Sequence, residues 1–335
     1  MRIDVAAPDA WGRLSERYRA NLPDSLQDPG LNVMVFGGVG HAVTEITKSL
    51  AQLYAHKKTI AIISQIDPAF EPVGVSFSQD EFQVKVITPE QAKDPNIWTP
   101  LLEDLLFVLA SEDDPITGRL TDLEPMTEAL KGKRVFKILV SHEAHNWKPL
   151  ARPEPFGIKI LSLNSDRALL VAGERCRVQP QFAPNLNWGN ESDEEIRKVT
   201  ETLRSPNSEA AKRAAVETFE SQLPSGFKAY FAPSEARLFD RVLFHHSDFD
   251  GLAIIEELSI TMRTPIASLG QNSHLETTSA CRWESPRFQE WLVARGDSES
   301  TVRGLVIAST DLIDQGLRTH LETAAAKIDR LQRGQ

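Results

Sequence analysis

Apolar positions change period several times along the chain. Asn32–Phe36 is a short apolar run that ends at Gly37-Gly38-Val39-Gly40. Val43, Ile46, Leu50 and Leu53 then recur at spacings of three and four, which predicts an amphipathic helix. Residues 59–64 (Thr-Ile-Ala-Ile-Ile-Ser) are β-branched and apolar, as in a buried strand. Strand, glycine turn, helix and strand make a βαβ unit and predict a parallel sheet. Residues 82–86 alternate as a half-buried strand, and residues 105–110 read as a fully buried one. A helix over residues 123–131 is stopped by Gly132, and strands follow at 135–140 and 158–163.

After Pro180 the pattern changes. Ser192 and Glu195 form a capping box that opens a helix carrying Ile196, Val199 and Leu203. Pro206 breaks it, and an alanine-rich helix runs from Ser208 to about Leu223. Apolar runs around Tyr230 and at 242–244 precede a helix over 252–258. Arg303 begins a strand at 304–308, and a long amphipathic helix with Ile313, Leu317, Leu321, Ala324, Ile328 and Leu331 closes the chain. The reading is an N-terminal arm (1–30), a large α/β domain with a mainly parallel sheet (31–185), and a smaller C-terminal α/β domain (186–335). In the last, antiparallel strands carry helices on one side.

A length of 335 residues supports such cores. The net charge of -10 argues against nucleic acid or an anionic membrane as partner. No apolar run approaches the ~18 residues a spanning helix needs. The N-terminus lacks a signal-peptide core, and the expectation is a soluble cytoplasmic protein. Two cysteines, Cys176 and Cys281, give no disulfide framework, and no Cys/His cluster has zinc spacing.

Candidate chemistry sits where strands end. Val39, Gly40, His41 and Ala42 lie between a strand and a helix N-terminus, a place for an anion or a plain tight turn. A dinucleotide reading, with Asp67 beyond the next strand, lacks the third glycine of G-x-G-x-x-G, where Val43 stands. Asp113-Asp114-Pro115-Ile116-Thr117-Gly118 follows the strand at 105–110, and Ser141-His142-Glu143-Ala144-His145 follows the strand at 135–140. The two histidines read as a hydrogen-bonded pair at a strand end rather than a metal site, since no helical H-E-x-x-H is present. His245-His246-Ser247-Asp248-Phe249-Asp250-Gly251 reads as a strand end and a turn into a helix.

These turns, together with Arg167-Ala168-Leu169-Leu170-Val171-Ala172-Gly173-Glu174-Arg175, resemble fold-type I pyridoxal-phosphate enzymes. The aminotransferases among them carry S-x-S-K-x-x-x-L-A-G-x-R, N-P-T-G and D-E-A-Y in these places. The resemblance covers roughly residues 30–180, with a weaker echo to 330. It puts Arg167 at the Schiff-base lysine, His142 at the aspartate that pairs with the pyridinium nitrogen, His145 at the tyrosine and Asp114 at the asparagine. Arg175 becomes the phosphate-binding arginine, and Arg303 or Arg282 the clamp on a substrate carboxylate. An arginine stays protonated and cannot serve as a neutral amine nucleophile.

The resemblance therefore implies an aminotransferase-like protein without Schiff-base chemistry. It would bind pyridoxal phosphate, pyridoxamine phosphate or another small anion non-covalently, or act through a partner chain, with a homodimer as the family's usual assembly. The alternatives are an active aminotransferase with an atypical pocket, using pyridoxal or pyridoxamine phosphate, and a nicotinamide-dependent α/β oxidoreductase. A shifted frame would make Lys159, inside its strand, the family lysine, while Lys57 and Lys58 at a helix end do not suit the role.

Overall fold

The computed structural model describes residues 8–63, 69–80, 82–143, 148, 150–164, 167–176, 192–204, 209–264, 275–277, 290, 292–293 and 297–333. The chain divides into two compact units, 1–114 with 120–207 and 115–119 with 208–335. The boundary thus falls after Asn207 and not at 185. The helix opened by the Ser192 capping box belongs to the first unit, because Ile196 and Leu203 bury with Leu14, Tyr18 and Leu22 of the N-terminal arm. The arm is part of that unit's core. Its helix α1 (Pro8–Arg19) packs on the first strand.

The first unit contains β1 (Asn32–Phe36), α2 (Val39–Leu53), β2 (Thr59–Ile63), α3 (Glu71–Gln79) and β3 (Gln83–Ile87). Next come α4 (Pro95–Trp98), β4 (Leu105–Ser111), α5 (Glu124–Ala129) and β5 (Phe136–Ser141). It closes with β6 (Gly157–Asn164), β7 (Arg167–Ala172) and α6 (Asp193–Arg204). Seven strands form one sheet in the order β1-β7-β6-β5-β4-β2-β3. β7 runs against both its neighbours, and the other strands all point one way. The expected βαβ start is present in sequence, but β1 and β2 are not neighbours, since four strands lie between them. β1 at the sheet edge also removes the nicotinamide reading. That fold binds its dinucleotide at a central first strand, where the strand order reverses.

The two faces differ. On one, a single apolar cluster runs from Met34 and Phe36 through Ala168, Ile158, Ile138 and Phe107 to Ile60, under α2 and α3. On the other there are two clusters. One joins β1, β7 and β6 to α1 and α6, and the other joins β2 and β4 to α4 and α5. Alternation along a strand sends neighbouring side chains to opposite faces. The apolar runs of β4 and β7 therefore feed both faces, as buried strands must.

The second unit contains α7 (Glu209–Ser221), β8 (Phe227–Ala229), β9 (Arg241–His246), α8 (Gly251–Met262), β10 (Leu275–Thr277), α9 (Glu299–Gly304), β11 (Leu305–Ser309), α10 (Asp311–Asp314) and α11 (Leu317–Gln332). Its sheet, β10-β11-β9-β8, is antiparallel throughout. Leu317, Leu321, Ala324 and Ile328 bury on it, as their spacing foretells, whereas Ile313 falls in the separate α10 and Leu331 is exposed. Asp250 caps α8 through Leu252 N–H, so the Asp/Gly turn after His246 has the expected structural use.

Candidate functional site

Six of the seven strands end at the same edge of the large sheet, and most of the sequence-derived candidates gather there. β1 stays apolar through Phe36, and the chain then turns at Gly38, whose φ of 98° favours glycine. Gly38 is the N-cap of α2, so the first-turn N–H groups of Val39, Gly40 and His41 have no partner within the helix. A Cβ built at Gly40 meets nothing within 4 Å, so the turn stands clear. His41 sets its ring edge-on to Phe36 at 5.5 Å. Burial lowers its pKa and Glu45 opposes this, so burial favours the neutral imidazole. Ala42 is buried below the turn.

The ends of β4 and β5 are tied by one carboxylate. Asp113 is 1% exposed and accepts the N–H groups of His142 at 2.9 Å and Glu143 at 2.7 Å. The ladder continues past β4, with Glu112 N–H donating to the Val140 carbonyl at 2.7 Å. Thr121 N–H donates to the Glu112 carbonyl, and Asp113 bridges to Leu120. Burial pushes the Asp113 carboxyl up to about 6, against the pull of His142 and the two N–H groups. Asp113 therefore fixes the turn that presents His142. Asp114, the residue the motif comparison selects, is buried beside it. Pro115–Arg119 groups with the second unit, where Arg241 donates to the carbonyls of Pro115 and Ile116.

Arg167 opens β7 at this edge, paired with Asn164 across the β6–β7 hairpin. The register Phe36↔Ala168 puts it level with Gly37. Alternation places it with Leu169 and Val171, on the face opposite α2. Arg167 and the α2 turn thus flank the end of β7 from two faces.

Arg175 is elsewhere. The stretch 167–172 is a strand and not the loop the motif implies, so Arg175 lies a strand length away, ~20 Å, at the opposite edge. It is exposed, and its N–H donates to the Pro155 carbonyl ahead of β6. Lys57 and Lys58 precede β2 at that same far edge, where Lys57 Nζ donates to the Leu105 carbonyl at 2.8 Å. Arg303 does not begin a strand. It is an exposed residue in the last turn of α9, in the second unit. His145 and Arg282 lie outside the described residues. Among the described residues no group of three or more His, Cys, Asp or Glu is arranged to hold a metal, and no helix is long and apolar enough to cross a membrane.

Motif comparison passed over Asp113 in favour of Asp114. The signal was present: a doubled aspartate directly after an apolar strand requires hydrogen bonds for whichever member is buried.

No family model matches the chain, and no curated protein does. Solved structures do. A NifS-like protein superposes with a TM-score of 0.68 at 14% identity, over 95% of this chain and 88% of its own. A NifS-like protein from Rickettsia africae ESF-5 gives 0.66 at 13%, over 96% and 91%. A cysteine desulfurase from Thermococcus onnurineus NA1 gives 0.63 at 9%, over 97% and 86%. The sheet order and these neighbours define the fold as fold-type I of the pyridoxal-phosphate-dependent transferases.

Proposed function

We propose that this chain is a fold-type I scaffold that binds a small anionic ligand at the carboxyl edge of its large sheet and does not carry out ordinary transamination. Pyridoxal phosphate and pyridoxamine phosphate, held non-covalently, are the ligands the fold favours. What supports the reading is Arg167, which opens β7 opposite Asn164 and which the resemblance puts at the Schiff-base lysine. A guanidinium stays protonated at neutral pH and neither attacks a carbonyl carbon nor shuttles a proton.

The phosphate end of such a ligand fits. The α2 turn offers N–H groups that have no partner within the helix, the positive end of a helix dipole, and open space over Gly40. The ring end fits less well. His142 follows β5 where a carboxylate would hold a pyridinium proton, and an imidazole brings no negative charge. A soluble binding protein, or the partner of a catalytic relative, accounts for both observations. Homodimerisation is the assembly the resemblance implies.

The test is amino-group exchange. The chain with pyridoxal phosphate and a panel of amino acids, cysteine included, should convert none of the cofactor to pyridoxamine phosphate. Conversion above a protein-free blank would overturn the reading in favour of an active enzyme.

A further inference from the structure

The second unit stacks three arginines on two phenylalanine rings. Arg119 lies 5.1 Å over the Phe231 ring, Arg237 lies 4.8 Å over Phe231 and 5.1 Å over Phe239, and Arg213 lies 4.8 Å over Phe239. Two of the three charges are matched. Arg237 is 4% exposed and donates through both Nη atoms to the two Glu220 oxygens at 2.7 Å. Arg119 pairs with Glu235. Arg213 makes no hydrogen bond or ion pair among the described residues. It stands on α7, where Ala210, Arg213, Ala214 and Glu217 share one helical face and form the described lining of a cavity of about 480 Å³. That volume lies in the range of small-molecule pockets. Glu217, one turn after Arg213, is also without a partner among the described residues. Arginine before glutamate is the weaker order for a helical pair, and the guanidinium is held on Phe239 instead.

We propose that this cavity binds an apolar α-amino acid as its zwitterion. The α-carboxylate takes the Arg213 guanidinium fork in a bidentate pair, and the α-ammonium donates to the Glu217 carboxylate. The ligand's side chain covers Ala210 and Ala214, which leave the floor low and apolar. Stacking on Phe239 orients the fork in advance and reduces the entropy lost on binding. A simple carboxylate would be repelled by Glu217, and a simple amine by Arg213, so the zwitterion is selected over either half. Both charges are exposed, which sets the affinity in the ~mM range. All four lining residues belong to the second unit, so the site does not rest on anion binding at the α2 turn.

Saturation-transfer NMR titration of L-leucine on the full chain, with no cofactor added, tests this. Leucine should bind saturably. Isocaproate, which lacks the ammonium, and isoamylamine, which lacks the carboxylate, should each bind about tenfold more weakly. Arg213→Gln and Glu217→Gln should each weaken leucine about tenfold, and both positions are exposed, so the variants keep the fold. Lys212→Gln, exposed on the same helix but outside the lining, should leave the affinity unchanged. Gly40→Asp, which opposes an anion at the α2 turn, should also leave it unchanged. No saturable binding of leucine, binding indifferent to Arg213→Gln or Glu217→Gln, or isocaproate binding as well as leucine would overturn the proposal.

Discussion

The two edges of the large sheet are built on opposite terms. At the amino edge the main chain closes on itself. Gly173 N–H donates to the Gly157 carbonyl, Arg175 N–H to that of Pro155, Gly157 N–H to that of Glu154, and Cys176 N–H to that of Gly173. A Cβ at Gly173 would stand 2.0 Å from the Glu154 carbonyl oxygen. Burial pushes the Cys176 thiol up to about 12, so it stays an inert S–H. At the carboxyl edge side chains do the joining. Asp113 holds the His142 turn, and the first N–H groups of α2 have no partner within the helix. One edge holds the strands together with little room to vary. The other spends buried charge on fixing a few groups where strands end, which is where open α/β sheets place ligands.

Substitutions can break that contrast. Gly173→Ala should destabilise by about 3 kcal/mol or more, since the clash is with backbone and cannot be relieved by a rotamer. Urea unfolding would read it, and ligand affinity of the remaining folded protein should not change. Asp113→Asn attacks the other edge and acts through pH. Burial raises the folded pKa to about 6, above the ~3.9 of an unfolded aspartate, so the folded chain holds that proton more tightly. The contribution is fully present below pH ~4 and is lost as pH rises through about 6. Comparing unfolding at pH ~4 and ~7 should show the variant lacking a slope on the order of 3 kcal/mol that the wild type has. Gly40→Asp should leave stability equal or raise it by about 0.5 kcal/mol, an acidic group being welcome in a first turn. Arg175→Ala, at an exposed site, should stay within about 0.5 kcal/mol and leave anion binding unchanged.

Much of the strand and helix order was legible because buried strands and amphipathic helices leave different periods. The 105–110 run and the 317–331 helix are clear cases. Strand order was not. Nothing in residues 32–63 says that β1 will pair with β7, because the pairing depends on contacts far apart in sequence. The same gap misplaced Arg175. Motif spacing put it beside Arg167, whereas six residues of extended chain carry it to the other edge. Arg303 was misjudged for a local reason. The apolar strand 305–309 begins only after Ser298 has capped a short helix that absorbs the arginine. The boundary at 185 followed a change in composition. The unit ends later because Ile196 and Leu203 complete the core begun by α1.

The central claim is that a phosphorylated ligand binds at the α2 turn. Calorimetric titration with pyridoxamine phosphate, which has no aldehyde, tests it on wild type, Gly40→Asp and Arg175→Ala. Gly40→Asp suits the purpose because its Cβ has open space and only the added charge opposes the anion. The expected result is saturable binding to wild type, affinity weakened about tenfold or more in Gly40→Asp, and no change in Arg175→Ala. No binding to wild type, or binding indifferent to Gly40→Asp, would contradict it.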